Sequence, residues 1–233
     1  IRFMAVYTEV RDEDLVAFVA RYDIGEALSA TGIVEGVENS NFLLSTTVGN
    51  FILTIYENRV DPADLPFFLG LKEHLAAKGI ACPIPIQARD GEVLHELSNR
   101  PAAIVTFLEG MWPRRIQPDH CGELGRALAR MHLAGSDFAL HRPNSLSVQS
   151  WRPLLCRSVD RADEVQWGLA KDLETELATL ESNWPDNLPI GIIHGDLFPD
   201  NAFFRGPELT GLIDFYFACT DMFAYDIAIC MNA

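Results

Sequence analysis

The segment from position 192 to 204, IIHGDLFPDNAFF, constrains the fold of this chain more than any other. It begins and ends with apolar residues typical of buried strands, and between them it carries a histidine, two aspartates and an asparagine. An isolated ionised carboxylate in an apolar interior costs several kcal/mol unless it is paired or bound to a cation. The fold must therefore bring a neutralising group to Asp196 and Asp200.

The residues that follow suggest where that group lies. Positions 202–205 and 209–213 read as two short strands joined by a Gly-Pro turn, and the second strand ends on Asp214. The polar loop and Asp214 then emerge at the same end of a hairpin, where Asp196, Asn201 and Asp214 can converge. Such oxygen ligands suit magnesium, which typically takes one or two carboxylates together with substrate phosphates.

The spacing of these residues matches a phosphoryl-transfer pattern. It reads H-x-D-x-x-x-x-N from His194 to Asn201, followed after the next hairpin by the pair Asp214-Phe215. In that pattern Asp196 accepts the proton of the attacking hydroxyl, Asn201 and Asp214 hold magnesium on the phosphates of ATP, and His194 supports the loop. The alternative is that Asp196 and Asn201 only cap turns, which is common for these residue types.

Composition excludes several classes of protein. With 233 residues, 48% of them hydrophobic, the chain can bury the core of one large domain or of two lobes. A net charge of −15 argues against nucleic acid and anionic membranes as partners, because the surface as a whole repels phosphate groups. Five scattered cysteines without C-x-x-C spacing argue against disulfides and zinc, and indicate a reducing cytoplasm. No segment has the pattern of a membrane span or a secretion signal. The oligomeric state stays open.

Patterning along the chain changes near Leu108. Before it we predict a helix over 12–25, a hairpin of strands 42–46 and 51–56, a helix over 61–79 and a strand over 101–110. After it the pattern is mainly helical. We therefore predict a nucleotide-binding lobe over residues 1–108 and a catalytic lobe over 109–233. Met4 is the expected natural start, and the apolar close DIAICMNA suggests a C-terminus cut within a helix.

Several phrases together resemble one family. They are GVENSNFLL, FILTIYE, LPFFLGLKEHLA, IIHGDLFPDNAFF and LTGLIDFYFACTDMFAYDIAICMNA, and they span most of the chain. The chain resembles the aminoglycoside-phosphotransferase-like kinases, and specifically the bacterial homoserine kinases of that fold. The resemblance implies an α+β, protein-kinase-like fold of two lobes, with a small antiparallel sheet and one main helix before a larger helical lobe. It also implies transfer of the ATP γ-phosphate to L-homoserine, a step of threonine biosynthesis.

The resemblance assigns further residues. Positions 36–41 correspond to the loop that covers the nucleotide, with Asn39 and Asn41 near the phosphates. Positions 105–108, and within them Thr106, Phe107 and Leu108, correspond to the hinge that pairs with adenine. Asp226 corresponds to an aspartate that braces the catalytic loop. Candidates for contacts with the acceptor are Arg152, Asp200 and Tyr216, although an arginine such as Arg152 is more often simply exposed near a helix start.

One position departs from the broad kinase pattern. Such kinases carry a lysine in the strand 51–56, paired with a helix glutamate, to hold the α- and β-phosphates. Here Thr54 stands at that position, and Glu73 is the candidate glutamate; threonine is the usual residue in the homoserine branch. The sequence leaves open which residue neutralises the phosphates. Arg59 and Lys72 are candidates, but a solvated surface position is the expectation for both.

Two alternatives remain. A related kinase could act on another hydroxylated acceptor, such as an aminoglycoside, methylthioribose or choline. The departure at Thr54 also allows an inert nucleotide-binding module. Cys82 has no basic neighbour to lower its pKa, so we do not expect it to act as a nucleophile. His132 lies among apolar helix positions, and we expect a packed or surface-capping histidine there and not a metal ligand.

Overall fold

The N-terminal part of the chain folds around a five-stranded antiparallel sheet. The computed structural model describes residues 8–33, 39–57 and 60–233. The strands lie in the order β1-β2-β3-β5-β4. Their bounds are β1 (Ala27–Gly32), β2 (Ser40–Thr46), β3 (Gly49–Ile55), β4 (His95–Leu97) and β5 (Arg100–Thr106). The predicted hairpin is β2–β3, and it is confirmed with Asn41 opposite Thr54.

The two faces of this sheet bury different side chains, because neighbouring residues of a strand point to opposite sides. Phe42, Leu44 and Leu53 pack with helix α1 (Asp12–Val19) in one apolar cluster. The prediction of a helix over 12–25 was wrong in length. The chain leaves the helix after Val19, and Tyr22 forms an antiparallel bridge to Ala88.

The main N-terminal helix follows its predicted start and end. The side chain of Asp61 accepts a hydrogen bond from the backbone N–H of Ala63 and begins a 3₁₀ turn. That turn leads directly into α2 (Leu65–Ala77), and Gly79 follows the helix with a φ of +81°. The buried face of α2 packs in a second apolar cluster with Leu197, Leu212 and Phe215, which belong to the segment 192–215.

The C-terminal part is mainly helical, with two short strand pairs. Its helices are α3 (Pro118–Ala134), α4 (Val148–Val165), α5 (Leu169–Asn183) and α6 (Phe223–Asn232). Strands β7 (Ala202–Arg205) and β8 (Glu208–Leu212) form the predicted hairpin. Strand β6 (Ile190–Ile193) pairs with β9 (Cys219–Met222), a partner that the sequence did not predict.

The fold is therefore α+β, with an antiparallel sheet and one main helix in a smaller N-terminal lobe and a larger helical C-terminal lobe. The domain boundary after Leu108 stays a prediction. Among the described residues, no helix combines the length and the apolar character needed to cross a membrane.

Candidate active site

The β7–β8 hairpin joins the two halves of the predicted motif. In the register of this hairpin Ala202 lies opposite Leu212, so Asn201 and Ile213 are neighbours at its open end. The N–H of Ile213 donates to the carbonyl of Asn201 (3.0 Å), and the carbonyl of Ile213 accepts from Nε2 of His194 (2.9 Å). The peptide before Asp214 is thus fixed to both ends of the catalytic loop.

Asn201 also holds Asp196. Its Nδ2 donates to the backbone carbonyl of Asp196 (2.7 Å) and to the carboxylate Oδ2 (3.1 Å). Since both bonds use the amide nitrogen, the amide oxygen of Asn201 points away from Asp196. Asn201 is buried, whereas Asp196 is only partly buried and can meet a substrate.

Asp214 has a strained backbone. Its φ of +61° and ψ of 63° lie in the left-handed region, which non-glycine residues seldom adopt, although Asp and Asn do so more than others. Such strain costs on the order of 1–3 kcal/mol and clusters at functional sites. The strained residue follows directly after the fixed Ile213 peptide. It is also the residue that the sequence predicts as a metal ligand.

A buried aspartate holds the loop from behind. Asp226, on α6, is fully buried and accepts hydrogen bonds from the backbone N–H groups of His194 (2.9 Å) and Gly195 (3.0 Å). Nε2 of His132 donates to the same carboxylate (2.8 Å). Burial alone raises the pKa of Asp226, but these bonds outweigh it and hold the pKa below its ordinary value. The predicted brace is confirmed, as is the packed position of His132.

The loop conformation also depends on its glycine, and the buried His194 supports it. Gly195 has a φ of +76°, and a Cβ there would lie 2.7 Å from the carbonyl oxygen of Phe217. Burial lowers the pKa of His194, although the charge of Asp226 opposes this shift. The ring of His194 bonds through Nε2 to the carbonyl of Ile213, so His194 supports the loop.

Of the residues predicted near the phosphates, Asn39 directly precedes β2, Asn41 lies on β2 and Thr54 lies on β3. Oγ1 of Thr54 donates to Oδ1 of Asn41 (2.8 Å), and Oδ1 of the buried Asn39 accepts from the N–H of Glu57 (3.4 Å). The Glu57 carboxylate accepts from the hydroxyl of Ser40 (2.7 Å). Positions 36–38 of the predicted loop lie outside the described residues.

The predicted hinge lies where β5 ends. The N–H of Thr106 donates to the carbonyl of Ile84, and its hydroxyl accepts from the N–H of Ile84 (both 2.9 Å). Phe107 is exposed and Leu108 is partly buried. Glu73 lines a shallow depression beside Ile84, and its role as the helix glutamate stays a prediction.

The expectation of a solvated surface position for Lys72 was wrong. Lys72 is only 4% exposed, and its Nζ lies 5.1 Å from the ring centroid of Tyr216. The buried positions of α2 recur with the helical period, at 65, 68, 69, 72 and 75. This spacing alone could have predicted that Lys72 lies on the buried face. Arg59, the other candidate, lies outside the described residues.

The candidates for the acceptor are not gathered in one place by direct contacts. Tyr216 packs edge-on against Phe68 and its hydroxyl lies 3.2 Å from that of Tyr56. Arg152 forms an ion pair with Glu181 on α5. Asp200 is exposed in the turn before β7. All three stay predictions.

Two observations bear on other chemistry. Burial raises the pKa of the Cys82 thiol to about 11, against a nucleophilic role for this residue. Over residues 8–33, 39–57 and 60–233, no three His, Cys, Asp or Glu side chains cluster in a way that could hold a metal ion. The arrangement that remains is a partly exposed carboxylate, Asp196, held by the amide of Asn201, with Asp214 directly after the Ile213 peptide that is bonded to Asn201 and His194.

Solved structures of low sequence identity share this fold. A spectinomycin phosphotransferase in complex with ADP and spectinomycin superposes with a TM-score of 0.77 at 13% identity, over 95% of this chain and 74% of that chain. An amicoumacin kinase in complex with AMP-PNP, Ca²⁺ and Ami gives a TM-score of 0.69 at 15% identity, over 94% of this chain and 68% of that chain.

In sequence, the chain is much more similar to homoserine kinases than to these two structures. The homoserine kinase of Rhodospirillum rubrum is 62% identical over 230 residues, which cover 99% of this chain and 72% of that protein. The homoserine kinase of Rhizobium meliloti is 59% identical and is covered over 71% of its length. The model of the phosphotransferase enzyme family matches residues 29–233. The chain therefore belongs to the phosphotransferase enzyme family and, within it, to the homoserine kinases.

Proposed function

We propose that this protein transfers the γ-phosphoryl group of ATP to the side-chain hydroxyl of L-homoserine. The observation that carries the proposal is the fixed Ile213 peptide, which ties Asn201, His194 and Asp214 into one unit beside Asp196. Identity near 60% to homoserine kinases supports this acceptor over others of the same fold. Unpaired cysteines support a reducing cytoplasm as the setting of the reaction.

In this proposal Asp196 is the general base. The hydroxyl oxygen of homoserine forms a bond to the γ-phosphorus, and the hydroxyl proton passes to the Asp196 carboxylate. The bond between the γ-phosphorus and the β,γ-bridging oxygen breaks, and ADP is released. Asn201 keeps Asp196 oriented through its amide nitrogen. Asp226 keeps the backbone of the loop in place without touching the substrate.

The oxygens of Asn201 and Asp214 fit a hard divalent cation. One amide oxygen and one carboxylate leave further positions for phosphate oxygens and water, as magnesium prefers. When bound, magnesium would neutralise charge that develops on the phosphates. Asn39, Asn41 and Thr54 would face the phosphate side of the nucleotide, and positions 106–108 its base.

An acceptor panel tests the proposal. ADP release is measured with ATP and magnesium against L-homoserine, L-serine, choline, methylthioribose and kanamycin, for the wild type and Asp196→Asn. We expect turnover with homoserine that is strongly reduced in the variant. Turnover with a different acceptor would contradict the choice of substrate, and no turnover with any acceptor would favour an inert nucleotide-binding module.

A further inference from the structure

Lys72 is a buried cation in an apolar setting. It lies on α2 between Phe68 and Leu75 on the same helical face, and only 4% of it is exposed. Transfer of an ammonium group from water to such a setting costs several kcal/mol unless an anion or a set of acceptors compensates for it. A side chain of this kind therefore needs a partner.

The described part of the chain does not provide an anionic one. Within it, Lys72 forms no ion pair, and the contact of its ammonium group is with the ring of Tyr216, 5.1 Å from the centroid. A cation–π contact contributes about 0.5–2 kcal/mol. This is less than the loss of hydration, so the ring alone does not account for a charged Lys72.

The position of Tyr216 relates Lys72 to the active site. Tyr216 lies two residues after Asp214, and its hydroxyl is 3.2 Å from that of Tyr56, which directly follows β3. Tyr56 and Thr54 are two residues apart along the chain, so they point to the same side of the strand. Lys72 thus contacts the segment that follows Asp214, and its helix packs in one apolar cluster with Tyr56 and with Ala103, the partner of Thr54 in the sheet.

We propose that Lys72 supplies, from helix α2, the positive charge that the phosphate chain of the nucleotide needs in place of a lysine at Thr54. The inference rests on the proposed function only in taking ATP as the nucleotide. A lysine ammonium is a compact point charge with three donors and suits phosphate oxygens. A polyphosphate is in turn the dense anion that a buried ammonium requires.

Nucleotide binding by Lys72→Met tests the proposal. Binding of ADP and of adenosine is measured by calorimetry for the wild type, Lys72→Met, Lys72→Arg and the exposed control Lys171→Met. We expect Lys72→Met to bind ADP at least about tenfold more weakly, with adenosine affinity unchanged. Lys72→Arg should recover part of the loss, and Lys171→Met should bind both ligands as the wild type does.

Unchanged ADP affinity in Lys72→Met would overturn the proposal, and so would equal losses for ADP and adenosine. Equal losses would mean that Lys72 only maintains the shape of the lobe. The ADP measurement needs no acceptor, so its outcome is independent of whether homoserine is the substrate. Failure of the acceptor panel and failure of this inference can therefore be told apart.

A measurement on the wild type covers the case in which Lys72→Met does not fold. The chain has three lysines, Lys72, Lys78 and Lys171, so labelling lysine with ¹³C at Cε gives three assignable NMR signals. Lys78→Arg and Lys171→Arg identify the Lys72 signal by elimination. We expect ADP to shift it and adenosine to leave it in place. No shift with ADP would overturn the proposal, and a shift with L-homoserine alone would assign Lys72 to the carboxylate of the acceptor instead.

Discussion

The catalytic segment (residues 192–215, with the helix α6 that braces it) and helix α2 of the N-terminal lobe compensate for their buried charges in different ways. Behind the catalytic segment, the carboxylate of Asp226 accepts hydrogen bonds from two backbone N–H groups and from the ring of His132. On the N-terminal side, Lys72 has an aromatic ring beside it and no ion pair within the described residues. The first region is complete without a ligand, and the second, on our inference, is completed by one. The predictions below test this difference, from the largest expected effect to the smallest.

Asp226→Ala should destabilise the protein by about 3–5 kcal/mol, because two backbone donors and one histidine lose a buried anionic acceptor. Asp226→Asn keeps one oxygen acceptor, so its loss of stability should be smaller. Denaturant unfolding measures both, with the exposed Asp186→Ala as the control. A loss below about 1 kcal/mol in Asp226→Ala would mean that the segment does not depend on this brace.

Asp196→Asn should reduce turnover by about 10²-fold or more, because the amide cannot accept the hydroxyl proton. Its stability and its affinity for ADP should stay close to those of the wild type, since Asp196 is only partly buried. ADP release with homoserine measures the effect, and Asp186→Asn is the matched control. Turnover within a few-fold of the wild type would remove Asp196 from the role of base.

The pH dependence of stability should reflect the lowered pKa of His194. Its pKa in the folded protein is lowered from 6.5 by burial, so below that pH the unfolded chain binds more protons than the folded one. Stability should therefore fall as the pH drops through about 6.5, by at most about 1.4 kcal/mol per pH unit. Unfolding free energies on both sides of this pH should differ less in His194→Gln than in the wild type. An equal pH dependence in both would contradict a neutral, buried His194; His141→Gln is the exposed control.

Without nucleotide, Lys72→Met should be as stable as the wild type or more stable, by about 0–1 kcal/mol. An apolar side chain of similar length replaces a buried charge that has no ion pair within the described residues. Thermal unfolding without and with ADP measures this, and the stabilisation by ADP should be smaller in the variant. A large loss of stability without ADP would show that Lys72 is already compensated within the protein, and would remove the contrast between the two regions.

The catalytic segment could be predicted because its information is local in sequence. Asp196, Asn201 and Asp214 all belong to one loop and the hairpin that follows it. The register of β7 and β8 follows from the turn, and it places Asn201 next to Ile213, directly before Asp214. The cap at Asp61 and the hairpin β2–β3 were predictable for the same reason, since each depends on residues next to it along the chain.

The rest depends on contacts between distant residues. His132 and Asp226 are 94 positions apart, and Tyr56 and Tyr216 are 160 apart. Neither pairing leaves a pattern in a single sequence. Strand β9, with the sequence CTDM, has no alternation of its own and forms because β6 offers it a partner. For Lys72 the helical period was visible, but the general preference of lysine for the surface outweighed it.

The most direct test of the account is a crystal structure with a non-hydrolysable ATP analogue, magnesium and L-homoserine. The account predicts that the oxygens of Asn201 and Asp214 lie about 2.0–2.1 Å from the metal. It also predicts that the carboxylate of Asp196 lies about 2.6–3.2 Å from the homoserine hydroxyl. A metal ion held by other side chains, or a hydroxyl that faces away from Asp196, would contradict it.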